Sequence, residues 1–151
     1  MINSKGKLKI SLRPKPVLTV TRSSLKEEKV IYILVCNKKR RYRKGSSKVV
    51  YIGRTEKGIA RIAKSAAYRA DKIFGRHGVT KFEARVVTLK ERRGEEYRKK
   101  LERAFLLAFK GLHGELPKCN QQGKRKRTTD EFTKYFNKGE LQHILKKLGT
   151  R

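Results

Sequence analysis

The sequence has few of the features that stabilise secreted or membrane-embedded proteins. Its two cysteines, Cys36 and Cys119, are too few for a disulfide framework. The longest apolar run, VIYILVC at 30–36, is far shorter than the ~20 residues that span a bilayer. The basic N-terminus also lacks the apolar stretch of a signal peptide. We therefore expect a cytoplasmic, intracellular protein without a membrane partner.

Acidic residues are scarce as well. The 151 residues contain 13 Asp and Glu against 42 Lys and Arg, which leaves a formal net charge of +29. A chain of this length is expected to form one domain with its own core. Its excess of positive charge predicts a polyanionic partner, and nucleic acid is the first candidate because each neutralised phosphate releases a counterion.

The hydrophobic pattern predicts an alternation of strands and helices. Two β-branched runs, 30–36 and 49–53, flank the basic segment 37–48 and predict a hairpin. A third strand is expected at 81–88. Apolar residues at helical spacing predict a helix from Gly58, a second from about Glu95 to Leu112, and one or two short helices within 129–148.

The flanking segments differ from this central part. Residues 1–28 contain two short β-like stretches separated by prolines and are expected to form an arm or an edge strand. Residues 122–151 begin with a basic run, Lys124 to Arg127. We therefore divide the chain into an arm (1–28), a core (29–121) and a basic C-terminal tail with a helix (122–151).

Glu102 is a polar residue that packing alone does not explain. It lies on the mostly apolar second predicted helix, one turn before Leu106. A carboxylate there is either an i,i+4 partner of Arg98, a solvated charge at the rim of the core, or a metal ligand.

Two other features have both a structural and a functional interpretation. The first predicted helix carries a polar line, which is either a solvated face or a surface for a phosphodiester. Tyr32 and Tyr51 would face each other if the hairpin turned between Arg41 and Tyr42, although tyrosine also favours strands for packing reasons and a slip in the loop would separate the pair. The polar line consists of Arg61, Ser65, Tyr68 and Lys72.

Together, VIY at 30–32, VYIG at 50–53, Arg61, Glu102 and Asn120 resemble the GIY-YIG nuclease family. The resemblance covers residues 29–121 in order, and its strength lies in the whole set rather than in the YIG tripeptide. It implies an α+β fold, with a small three-stranded antiparallel sheet flanked by helices, and DNA cleavage that depends on one divalent metal ion, Mg²⁺ or Mn²⁺.

The resemblance also implies roles for individual residues. Glu102 matches the metal-binding glutamate, Arg61 the arginine that holds the scissile phosphate, and Asn120 the asparagine that closes the site. Tyr32 and Tyr51 match the paired active-site tyrosines, and we take Tyr32 as the candidate general base, with Tyr51 orienting water or phosphate. Gly53 matches the YIG glycine, and Arg54 stands where excision-repair members carry a supporting lysine.

The sequence also departs from the family pattern. Val30 replaces the first glycine of the GIY motif, which a strand tolerates. Ser65 occupies a position where several members have tyrosine or histidine, and Tyr68 and His77 are the candidates for that supporting role. Arg54 or Lys48 is the nearby cation expected to favour loss of the Tyr32 proton, so that Tyr32 can act as the base.

The remaining basic residues are expected to follow the DNA backbone, because dense Lys and Arg with few interleaved aromatics suit phosphate contact better than base stacking. They are Lys38, Lys39, Arg40, Arg41, Arg43, Lys44, Lys124, Arg125, Lys126 and Arg127.

The expected function is a site-specific, restriction-type endonuclease acting on double-stranded DNA. One site per chain would then require a homodimer to cut both strands. The alternatives are a mobile-element or repair endonuclease of the same fold, and a non-catalytic basic protein that binds nucleic acid.

Overall fold

The fold is α+β, as the sequence predicts. The computed structural model describes residues 6–89, 95–120 and 134–150. One antiparallel sheet has the strand order β2-β1-β3 and is accompanied by three helices. In chain order the elements are β1 (Val30–Arg41), β2 (Ser46–Thr55), α1 (Gly58–Phe74), β3 (Phe82–Val87), α2 (Glu95–His113) and α3 (Lys138–Thr150).

The central strand β1 is covered on both faces, because successive side chains of a strand point to opposite sides. Ile31, Ile33 and Val35 lie in one cluster with residues of α2 and α3. Tyr32, Leu34 and Cys36 lie in the other cluster, with residues of α1. This double burial explains why 30–36 is an unbroken apolar run rather than an alternating one.

The hairpin is tighter than the sequence suggests, since its strands run through most of the predicted basic loop. Tyr42 accounts for the difference. Its buried hydroxyl donates to the Val49 carbonyl at 2.8 Å, and its ring meets Phe109 edge-on at 5.0 Å. Its backbone N–H donates to the Gly45 carbonyl and closes the turn. An aromatic anchor in the core thus replaces an open loop.

The predicted direct pairing of Tyr32 with Tyr51 is wrong by two residues. Tyr32 pairs with Gly53, and Tyr51 pairs with Leu34. The register shifts between Leu34 and Val35 and again towards Arg40, so a symmetric turn does not give the right partner. Because the pairing register differs by two residues, an even number, both tyrosines still lie on the same face of the sheet.

Helix α1 begins as predicted, but its buried face differs in part. Ile62 and Ile73 are buried, whereas Ile59 is 43% exposed and Ala63 is exposed. Ser65, which the pattern places on the polar line, is buried instead. The helix is therefore rotated so that a hydroxyl, and not only the apolar stripe, faces the sheet.

The two flanking segments behave differently. Within residues 6–29 no strand forms, apart from an isolated bridge at Leu8, and the apolar side chains of Ile10 and Leu12 are more than 90% exposed. In contrast, α3 places Leu141 and Leu145 in the core beneath β2 and α2. In the described part of the chain, no helix is long and apolar enough to cross a bilayer.

Candidate functional site

Tyr32 and Tyr51 form a contact pair on the face of the sheet that α1 covers. Their ring centroids are 5.8 Å apart with the planes tilted by 40°. Gly53 makes room for them, since a Cβ atom there would lie 2.6 Å from Tyr51 Cε2 and 3.0 Å from Tyr32 Cζ. The glycine is needed for the space that it leaves, because any side chain would collide with both rings.

Ser65 connects the tyrosine pair to α1. The Tyr32 hydroxyl donates to Ser65 Oγ at 2.7 Å, and this bond is buried. Arg69 Nη1 donates to the same oxygen at 2.7 Å. The resemblance leaves the supporting role at position 65 open. Ser65 provides there one hydroxyl oxygen that accepts hydrogen bonds from Tyr32 and Arg69.

Arg69 is the site residue that the sequence analysis missed. Its Cζ atom lies 3.7 Å from the centroid of the Tyr51 ring. The signal was its position one turn after Ser65, so that Arg61, Ser65 and Arg69 form a single i, i+4, i+8 line along α1. An arginine on a helix is normally solvated, whereas Arg69 stacks on Tyr51 and donates a hydrogen bond to Ser65.

Tyr51 remains protonated over a wide pH range. Burial raises the pKa of Tyr51 to about 12, the neighbouring Tyr32 and the charge of Glu102 act in the same direction, and Arg69 opposes them. Tyr51 is therefore suited to donating a hydrogen bond at neutral pH rather than to accepting a proton.

Glu102 on α2 lies next to β2. Its Oε2 atom is 3.9 Å from Arg54 Nε, and its side chain is 25% exposed. Arg54 therefore meets the carboxylate. The resemblance instead implied that Arg54 supports a tyrosine. Because the pair is open to solvent, we count it as a weak ion pair rather than a stabilising one.

Glu102 fits a hard cation held by one protein ligand. Magnesium keeps several waters and accepts phosphate oxygens, so a partly exposed carboxylate is sufficient. Within the described residues no three His, Cys, Asp or Glu side chains group together as a metal site.

Asn120 binds the backbone of β2 beside the tyrosine pair. Its Oδ1 accepts from the Ile52 N–H at 3.1 Å, and its Nδ2 donates to the Ile52 carbonyl at 2.9 Å. The preceding Cys119 N–H donates to the Val50 carbonyl. The segment after α2 is therefore hydrogen-bonded to β2 and fixes the strand that carries Tyr51 and Gly53.

The structure does not bring together the other predicted supporting residues. The Tyr68 side chain is 83% exposed. His77 lies in the turn after α1, where its carbonyl accepts from Lys38 Nζ at 3.5 Å. Lys48 is half-buried, and its carbonyl accepts from the Cys36 thiol. Arg61, which was predicted to hold the scissile phosphate rather than to support the tyrosines, is exposed on α1, one turn before Ser65.

Most of the predicted DNA-contacting residues on the hairpin are exposed: Lys38, Lys39, Arg41, Arg43 and Lys44. Arg40 differs, because its Nε and Nη1 atoms are buried without a hydrogen-bond partner in the described residues. Residues Lys124, Arg125, Lys126 and Arg127 lie outside the described residues.

Comparison of the chain with protein-family models, with curated proteins and with solved structures finds no match. The functional interpretation therefore depends on the site itself.

Proposed function

We propose that the protein is a metal-dependent endonuclease of the GIY-YIG type that hydrolyses phosphodiester bonds in double-stranded DNA. The observation that carries the proposal is the tyrosine pair packed over Gly53 and joined to Ser65 of α1, with Glu102 of α2 beside Arg54 of the same strand β2. A +29 chain that keeps a carboxylate there has a use for it beyond binding.

Each residue has a chemical task in this proposal. Arg61 supplies planar, always-charged donors to the scissile phosphate, which help most as negative charge accumulates. Tyr51 donates a hydrogen bond to water or phosphate. Tyr32, as a phenolate, takes a proton from the attacking water.

The hydrolysis balances with one water consumed. The oxygen of that water bonds to phosphorus, the bond to the 3′-oxygen breaks, and the leaving oxygen takes up a proton from solvent. Glu102 would hold the metal ion, which when bound supplies charge stabilisation at the phosphate.

The exposed cations of the hairpin suit the DNA backbone, and cleavage of both strands would require two copies of the chain. Within this fold a restriction-type role is our first choice, ahead of a mobile-element or repair role. The alternative from another functional class is a non-catalytic, architectural DNA-binding protein. The positive charge alone supports this alternative as well as it supports a nuclease.

The test is incubation of supercoiled plasmid with the purified protein at moderate salt, with Mg²⁺ or with a chelator. We expect metal-dependent conversion to linear DNA or to discrete fragments. Nicked circles alone would indicate incision of one strand. Tight binding without cleavage, on methylated and unmethylated plasmid alike, would overturn the proposal in favour of the architectural role.

A further inference from the structure

We propose that Arg69 is a positioning residue that holds the two tyrosines in their working arrangement. This inference rests on the proposed nuclease function for its role in turnover. Its geometric part concerns only the free protein, and it can be tested without DNA.

Arg69 contacts Tyr51 directly and is linked to Tyr32 through Ser65. It donates to Ser65 Oγ at 2.7 Å and, more weakly, to the Ser65 carbonyl at 3.4 Å. Since Ser65 Oγ also receives the Tyr32 hydroxyl, Arg69 is connected to Tyr32 through one atom. With the other side of the guanidinium, Arg69 lies against the Tyr51 ring at 3.7 Å.

The connection through Ser65 matters when Tyr32 gives up its proton. A serine hydroxyl has one proton and two acceptor sites, so it can turn and donate to the phenolate. Arg69 cannot accept a proton or a hydrogen bond, and it keeps donating to Ser65 in either state. The serine is thereby held in place while its hydrogen reverses direction.

A lysine cannot reproduce both contacts. The guanidinium is planar, so its edge donates to Ser65 while its face stacks on Tyr51, whereas an ammonium is a compact, strongly hydrated charge. Substitution by lysine should consequently damage the site almost as much as substitution by glutamine.

The cleavage test compares R69K, R69Q and S65A with K64Q, a matched control that removes an exposed cation from the same helix. We expect R69K and R69Q to lower the single-turnover cleavage rate by about tenfold or more, whereas K64Q leaves it unchanged. The DNA affinity of R69K and R69Q should fall no more than that of K64Q. A wild-type cleavage rate in R69K would overturn the inference.

A second measurement needs no substrate. A stopped-flow jump to about pH 11.5 records tyrosinate absorbance before the protein unfolds. The contribution of Tyr51 is the difference between each protein and the same protein carrying Y51F. We expect less Tyr51 ionisation in R69Q than in wild type, because the stacked positive charge is gone, and no change in K64Q. Equal ionisation in R69Q and wild type would overturn the inference even if the protein cuts DNA, whereas absence of cleavage by wild type counts against the nuclease proposal only.

Discussion

At the scale of single residues, Gly53 has the most sharply defined role. Its missing side chain leaves the space in which the Tyr32 and Tyr51 rings meet. For G53A we expect a loss of about 1–3 kcal/mol in the free energy of unfolding, because the added methyl group must displace a ring or bend β2. Cleavage should fall below what this loss of stability explains, and chemical denaturation with DNA cleavage checks both.

G111A is the matched control. Gly111 lies inside α2, and a Cβ atom there would meet nothing within 4 Å. The same chemical change should raise stability by about 0.5–1 kcal/mol, since alanine favours a helix more than glycine does. If G53A were as stable and as active as G111A, the packing of the tyrosine pair over Gly53 would be wrong.

The pKa of Tyr51 gives a prediction for alkaline pH. Because burial raises that pKa from its ordinary value of 10.0 to about 12, the folded state favours the protonated phenol. The resulting stabilisation is complete below pH 10 and is lost as the pH rises through 12. It contributes less than about 2 kcal/mol to the free energy of unfolding, because water partly screens the side chain. Urea unfolding at several alkaline pH values should show a steeper loss of stability in wild type than in Y51F. Parallel curves of stability against pH for the two proteins would contradict the raised pKa of Tyr51.

At the scale of elements, Asn120 joins the segment after α2 to the edge of β2. N120A removes both hydrogen bonds to Ile52, so we expect the free energy of unfolding to fall by about 1–3 kcal/mol and the cleavage rate to fall as well.

N37A is the control variant. Asn37 also holds a neighbouring segment, at Thr80 and Lys81, but it is exposed and lies on the far side of the hairpin. It should lose some stability and retain cleavage. Equal cleavage by both variants would exclude a role for Asn120 in the site.

The elements themselves could largely be predicted from the sequence. The apolar runs and periodicities predicted three strands, two helices and one or two short helices in the tail, because burial on one or both faces of an element leaves a pattern that extends over many residues. The pairing of β1 with β2 could not be predicted, since it depends on bulges and on Tyr42, whose burial draws the basic segment into the strands. Helix α2 ends one residue beyond the predicted Leu112, and Gly114, with φ of +75°, follows the last helical residue.

Only part of the site could be predicted from the sequence. Tyr32, Tyr51, Gly53, Glu102 and Asn120 are recognisable as a set in the sequence. The role of Arg69 was not, because it depends on α1 being rotated so that Ser65 faces the sheet, and polar periodicity alone does not reveal such a rotation.

At the scale of the whole molecule, the net charge of +29 should make DNA binding strongly dependent on salt. We expect the triple variant K39Q/R41Q/R43Q to flatten the plot of log affinity against log salt by up to ~0.9 for each phosphate that the variant no longer neutralises. K138Q/K146Q/K147Q removes the same charge from exposed positions of α3 and should change the slope less. Fluorescence anisotropy over a salt series measures both, and equal slopes would contradict a DNA-contacting hairpin.

The proposed nuclease function is tested most directly by comparing two glutamates in one cleavage assay. Glu102 lies beside Arg54, whereas Glu115 pairs with Lys118 at 3.0 Å and accepts from the Arg43 N–H. E102Q and E115Q remove the same charge from the same chain. We predict that E102Q binds DNA at least as tightly as wild type but does not cut it with Mg²⁺, while E115Q still cuts. Cleavage by E102Q at the wild-type rate would contradict the account.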